Sequence, residues 1–248
     1  MVCNKCSFEV LRGPLIFETI KSDPTLVLRD GSRPPQSFSG LAVKEAHVDG
    51  MDSYLEALAS ARPTPGGGSA ATIVAAAGAA LVAMVARLTL TNAKYATKRS
   101  EAQRLIAEAD ARRLELLEAR TLDERAYERV VAAQALPRAT DEEKSQRTAR
   151  VQSALAGAAG APLDAAKLSL AVLELARAAV DLENEHLASD VGCAAEFGAA
   201  GLAASAYNVR VNHRYLRDAE LVARQAAELR SLEEAGHRLL AEVRAALA

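Results

Sequence analysis

Pro63-Thr64-Pro65-Gly66-Gly67-Gly68-Ser69 leads straight into residues 70–90, a run rich in Ala, Val and Leu. The two prolines end whatever helix precedes them and stiffen the approach. Three consecutive glycines cost backbone entropy, so a folded chain keeps them where a side chain would obstruct something. Here they open a helix, predicted over residues 69–90. Unpaired N–H groups and the helix dipole make such an N-terminus attractive to an anion. The segment fits a tight interhelical turn equally well. It is not a P-loop, because the GxxxxGK[ST] spacing and its Lys are absent, and it is not GxGxxG. The apolar run is about 20 residues, long enough to cross a bilayer. It is built from Ala and Gly more than Leu and Ile, and Arg87 lies near its end. It therefore reads as a buried central helix, with no membrane partner.

Outward from this helix the same period continues. Asp52 or Ser53 is placed to cap a short helix before the prolines. Asn92-Ala93 suggests a brief break. A charged amphipathic helix is predicted over residues 95–120, with Ala102, Leu105, Ile106, Ala109, Leu116 and Leu117 at helical spacing. Thr121 with Glu124 forms a capping-box pattern and predicts a new helix there. Thr140 with Glu143 repeats it, and Pro162 is expected near the start of yet another helix. Residues 184–189 read as a loop, Ser189 or Asp190 as the cap of a helix to about residue 208, and residues 211–247 as one or two amphipathic helices. No alternating β-branched run follows residue 48. The expected fold is all-α: a helical bundle of long antiparallel helices over residues 48–248.

Residues 1–47 differ. They hold Pro14, Pro24, Pro34 and Pro35 and no helical period, so a poorly ordered extension is expected. Cys3-Asn4-Lys5-Cys6 is a lone CxxC, weak support for a metal without a second pair or a nearby His. No basic start with an apolar run opens the chain, so no secretory signal is expected.

Composition narrows the function classes. The chain has 248 residues, a net charge of −2, three cysteines, five Tyr, four Phe and no Trp. No basic face stands out, which argues against nucleic acid as a partner. An odd, low cysteine count is no disulfide framework, and a cytoplasmic location is the default. The four histidines, His47, His186, His213 and His237, include no HxxxH or HExxH pair, so no metal site is expected. There is no GxSxG elbow. What remains is acid–base chemistry by carboxylates, Lys, Tyr or His. The candidates are Lys94-Tyr95 after the central helix, Asp123 and Tyr127 four apart on one helix face, the cluster Asn184, Ser189 and Asp190, and Asn208 with Asn212 beyond it. Each has a structural reading as well: Asp190 as an N-cap, Asp123 as a first-turn acid, Asn208 as a helix end and Lys94 as a solvated cation.

Taken in order, these residues resemble the cyclodeaminase/cyclohydrolase family of folate enzymes. The resemblance rests on Arg62 with residues 63–69, Met84-Val85-Ala86-Arg87-Leu88-Thr89, Lys94-Tyr95 and Asp123 with Ala126-Tyr127. It continues through Pro137, Thr140, Glu143-Lys144, Pro162, Asn184, Ser189-Asp190 with Gly192, and Asn208-Val209 with Asn212. The chain departs from the family's pattern at Leu90-Thr91-Asn92-Ala93, where a more basic stretch is usual, and at Glu183-Asn184, where Gly-Asn is usual. The resemblance implies a helical homodimer that binds a folate in a cleft and needs no cofactor. It also implies one of two reactions: hydrolysis of 5,10-methenyltetrahydrofolate, or cyclisation of 5-formimidoyltetrahydrofolate with loss of ammonia. Asp190 and Asp123 are the expected proton-transfer groups. Pro65, Gly66, Gly67, Gly68, Ser69, Arg87, Lys94, Tyr95, Tyr127, Asn184, Ser189 and Asn208 are the expected substrate contacts, with Lys94 and Arg87 on its carbonyl or anionic tail. A third possibility is a helical protein that binds folate or a partner helix without catalysis.

Overall fold

A computed structural model describes residues 49–248. The expected extension over residues 1–47, the Cys3/Cys6 pair and His47 lie outside the described residues. The rest is six α-helices: α1 (Asp49–Ala59), α2 (Gly67–Thr91), α3 (Arg99–Gln134), α4 (Asp141–Val180), α5 (Ala188–His213) and α6 (Ala219–Ala246). Short 3₁₀ turns at Ala93–Lys98 and Glu185–Leu187 precede α3 and α5. No strand occurs among the described residues. The fold is the expected all-α bundle. Asp52 and Ser53 fall inside α1 instead of capping it.

Helix α2 packs against α3, α4 and α5. Its Ala and Gly content explains how closely. A Cβ on Gly78 would lie 2.9 Å from the Ala194 carbonyl oxygen, and one on Gly201 would lie 2.8 Å from the Ala75 Cβ. Contacts that short leave no room for a methyl group, so small residues on both helices set the α2–α5 spacing. The gaps are filled by Leu105, Leu116, Leu173, Leu182, Val82 and Val85, all fully buried. Three buried hydroxyls on these helices return to their own backbone: Thr72 donates to the Ser69 carbonyl, Thr89 to Val85 and Ser169 to Ala165, each at 2.8 Å.

Two expected helix breaks are absent. The break at Thr121 is not made: α3 runs unbroken through 36 residues. Glu124 does not reach back to a capping position; it accepts the Ser69 hydroxyl at 2.8 Å. Asp123 is thus a mid-helix residue and not a first-turn acid. Pro162 does not start a helix either; it lies inside the 40-residue α4. Proline cannot donate to the carbonyl four residues back. That carbonyl belongs to Ala158, and the Asn212 side-chain amide donates to it at 2.7 Å. A neighbouring helix therefore supplies the bond that Pro162 lacks. The Thr140/Glu143 capping box is present as expected and opens α4, with Glu143 N–H donating to Thr140 Oγ1 at 3.2 Å. Asn92 ends α2 and caps the following turn, accepting Lys94 N–H at 3.0 Å. Leu187, which offers no side-chain cap, precedes α5, so neither Ser189 nor Asp190 caps it; Asp190 is a first-turn acid.

Because α3 and α4 are both continuous, their turn-proximal halves form an antiparallel arm. Its small core is Ala126, Val130, Leu155 and Ala158, with Val151, Ala154, Ala161 and Leu216 packed against it. Leu216 comes from the α5–α6 connection, so that loop is clamped to the arm.

Candidate active site

The glycine loop meets α3 at Asp123. Gly66 is the extended N-cap of α2 and contributes no side-chain hydrogen bond, so the first N–H groups of the helix are open to other acceptors. The Ser69 backbone N–H goes to the Asp123 carboxylate. A Cβ on Gly68 would stand 2.5 Å from both Asp123 carboxylate oxygens. Only glycine leaves space for the carboxylate over the backbone there, the close approach that the triple-glycine segment suggested.

Ser69 is buried and anchors a short polar chain. Its hydroxyl donates to Glu124 Oε1 at 2.8 Å, and the Tyr54 hydroxyl lies 2.9 Å from Ser69 Oγ. With the serine proton committed to Glu124, the Tyr54 hydroxyl donates to Ser69. The Arg120 guanidinium lies over the Tyr54 ring, 5.7 Å from its centroid. Its Nε is buried without a hydrogen-bond partner among the described residues.

Burial pushes the Asp123 carboxyl above its ordinary range, and the neighbouring Glu124 charge pushes it further; the Ser69 N–H pulls the other way. Burial likewise raises the Tyr54 hydroxyl, which stays neutral and able to donate. A carboxyl held above the usual range and lining a cavity is suited to proton exchange with a bound ligand.

That cavity has a volume of about 620 Å³. One end holds Thr64, Gly66, Gly67, Gly68 and Asp123, with Asn208 across from them. Its middle is apolar or aromatic: Ala126, Tyr127, Val130, Leu155, Ala158, Val211 and Tyr215. Gln134, Gln152 and Arg217 are polar groups beyond. Of the expected site residues, the structure brings Gly66, Gly67, Gly68, Asp123, Tyr127 and Asn208 to one cavity. Pro65 and Ser69 are not among its lining residues, though Ser69 holds Asp123 through its backbone N–H.

The remainder lie at the other end of α2. Twenty-five residues of helix separate the glycine loop from Asn92, which is about 37 Å at the α-helical rise. There the buried Tyr95 donates to Asn184 Oδ1 at 3.3 Å, and Asn184 Nδ2 donates to Thr89 at 3.0 Å. This network ties the turn after α2 to the α4–α5 connection. Lys94 lies over the Tyr95 ring, 5.3 Å from its centroid. Arg87 is ion-paired with Asp110. Ser189 lines a separate groove with Gly192, Cys193 and residues of α6, and Asp190 sits in the first turn of α5. These residues do not join Asp123. His186 is exposed and His213 contacts Gln225 at 2.9 Å; neither lines the cavity.

The sequence reading missed Tyr54, Glu124, Gln134, Gln152, Tyr215 and Arg217. Glu124 carried a signal, but it was read as half of a capping box. The others carry none, because their convergence depends on the register of the arm and on the course of the α5–α6 connection.

Comparison with known proteins adds a second line of observation. Residues 50–231 match the family model described as formiminotransferase-cyclodeaminase. A methenyltetrahydrofolate cyclohydrolase of Methylorubrum extorquens is 37% identical over 187 residues, covering 75% of this chain and 90% of that protein. The formimidoyltransferase-cyclodeaminase of Rattus norvegicus is 32% identical over 171 residues, 68% of this chain but 31% of that longer protein. The crystal structure of a formiminotetrahydrofolate cyclodeaminase from Thermotoga maritima superposes with a TM-score of 0.69 at 26% identity, covering 85% of this chain and 98% of that one.

Proposed function

This chain belongs to the formiminotransferase-cyclodeaminase family, and we propose from that membership and the cavity that it is a folate one-carbon enzyme which reversibly hydrolyses 5,10-methenyltetrahydrofolate to 10-formyltetrahydrofolate. The observation that carries the reading is Asp123, a carboxyl raised by burial, seated on the bare backbone of Gly68 at the end of a cavity of about 620 Å³. The resemblance to a cyclohydrolase over nine-tenths of that protein's length supports this reaction.

The methenyl carbon bridges N5 and N10 and carries a delocalised positive charge. Ionised Asp123 favours that cation electrostatically and accepts a proton from the attacking water. The new C–O bond makes the carbon tetrahedral. The C–N5 bond then breaks, the carbinol proton is lost, N5 is left protonated, and the formyl group remains on N10 with one net proton released. The carbon keeps its oxidation level throughout, so the reaction calls for no redox cofactor. The open N–H groups of the glycine loop are placed to accept a developing or carbonyl oxygen.

The second reading is formimidoyltetrahydrofolate cyclodeaminase, favoured by the match to nearly the whole of the Thermotoga maritima chain. In that reaction N10 attacks the amidine carbon and the departing nitrogen needs a proton, which a carboxyl of raised pKa supplies. One pair of assays separates the readings: loss of methenyltetrahydrofolate absorbance in water, and its appearance from 5-formimidoyltetrahydrofolate. Asp123→Asn is expected to lower kcat of the operating reaction by about 10²–10⁴-fold while the protein stays folded. Absence of both reactions in the wild type leaves only a binding role, and full activity in D123N removes Asp123 from the mechanism.

The same reading includes a homodimer in the cytoplasm. Ala70, Val74, Ala77, Leu81, Met84 and Leu88 repeat at alternating spacings of four and three along α2. Val74, Met84 and Leu88 are 38%, 36% and 45% exposed. This is a heptad-like seam, and a second copy of α2 is the partner that supplies the same pattern.

A further inference from the structure

We propose that Arg217 is the specificity-determining residue for the glutamate end of the substrate, an inference that rests on the folate reading above. Among the described residues Arg217 is the single cation lining the cavity, as Asp123 is its single acid. It makes no ion pair among the described residues, whereas of the two cations the sequence offered for the substrate's carbonyl or anionic tail, Lys94 lies over the Tyr95 ring and Arg87 is paired with Asp110, neither lining the cavity.

The position of Arg217 is built, not incidental. Its backbone N–H donates to Gln152 Oε1 at 2.8 Å, and Gln152 Nε2 donates to the Tyr215 carbonyl at 3.1 Å. One α4 side chain thus grips the connection on both sides of Leu216, which is itself packed on the arm's core. Three consecutive residues are held, and both neighbours of Leu216 line the cavity.

The spacing suits a folate. Arg147 Nε donates to the Gln134 carbonyl at 3.0 Å, which sets the antiparallel register of α3 and α4. Gln152, five residues beyond Arg147, is then level with about residue 129 or 130 of α3. That lies roughly 10 Å along the helix from Asp123. In a folate, standard bond lengths put the glutamate α-carboxylate about 10 Å from N10. Between the two ends the cavity offers Val130, Leu155, Val211 and the Tyr127 and Tyr215 rings, a lining matched to the benzoyl group. The guanidinium then meets a carboxylate, for which its planar fork is suited.

The test is a cross of enzyme and ligand variants. Wild type and Arg217→Ala are compared on 5,10-methenyltetrahydrofolate and on 5,10-methenyltetrahydropteroate, which lacks the glutamate. Calorimetric binding of tetrahydrofolate and tetrahydropteroate is measured in parallel. R217A keeps the backbone N–H that Gln152 accepts, so its thermal midpoint is expected to match wild type. The expected result is a rise of about tenfold or more in KM and Kd for the glutamate-bearing ligands, an unchanged kcat, and no change for the pteroates. Wild type binding both ligands alike, or R217A weakening both equally, overturns the inference. Glutamate-dependent binding that R217A abolishes, without turnover of either folate, sustains the inference and overturns the proposed catalysis.

Discussion

At the residue scale, the chemistry turns on one carboxylate and its neighbours. Asp123 is raised by burial first and by Glu124 second. If it acts as the base, activity appears as it ionises, so the acid limb of the pH profile lies above the ordinary carboxylate range. Glu124→Gln keeps an oxygen that accepts the Ser69 hydroxyl and removes the charge beside Asp123. The acid limb of kcat/KM in E124Q is expected to move to lower pH; an unmoved limb removes Glu124 from the tuning of Asp123. Stability follows the same linkage. A carboxyl whose folded pKa lies above its unfolded value of about 3.9 binds more protons when folded, so its contribution falls as pH rises through that window. D123N escapes this loss. Its stability advantage over wild type is expected to grow as pH rises from about 3.9 through the raised folded-state value, read as the difference in Tm. A constant difference would contradict the raised pKa. Gly68 and Ser69 stood out in the sequence because the glycine run is visible there, and Asp123 because Tyr127 follows it at helical spacing. The contact between Gly68 and the carboxylate was not visible, because 55 residues separate them in the chain.

At the scale of elements, α4 depends on a bond made by α5. Pro162 leaves the Ala158 carbonyl without its helical donor, and Asn212 supplies one. Asn212→Ala should therefore cost about 1–3 kcal/mol, the penalty for a buried acceptor left unpaired. In a Pro162→Ala background the helix regains its own donor, and the same substitution should cost distinctly less. Urea unfolding of the four variants in a double-mutant cycle measures this; equal costs in both backgrounds would exclude the compensation. This pairing explains why the sequence predicted a helix boundary that does not exist. Proline is a sound local signal for a boundary, and only a contact from another helix overrides it. The Thr121/Glu124 pattern misled for a similar reason: Glu124 found a better partner in Ser69 than in the backbone of its own helix. The Thr140/Glu143 box was read correctly because all its partners are local.

Across the whole molecule, α2 has two tasks. One face sets the core through Gly78, Ala75 and Ala71, and the other carries the Ala70-to-Leu88 seam. If the seam joins two copies, Val74→Glu with Met84→Glu should convert a dimer into a monomer in sedimentation or light scattering, with helical content retained by circular dichroism. A wild type that is already monomeric at micromolar concentration would refute the dimer. The sequence alone determined the all-α class, the long apolar helix and the glycine entry to it, because helical period, capping and glycine placement are short-range properties. It also located Asp123 and Tyr127 on one face, since four residues of helix decide that. Which candidates share a cavity was decided only by the tertiary structure. A helix of about 37 Å divides the glycine loop from Lys94, and the packing of the α5–α6 connection against the arm brings in Arg217, which no local pattern marks.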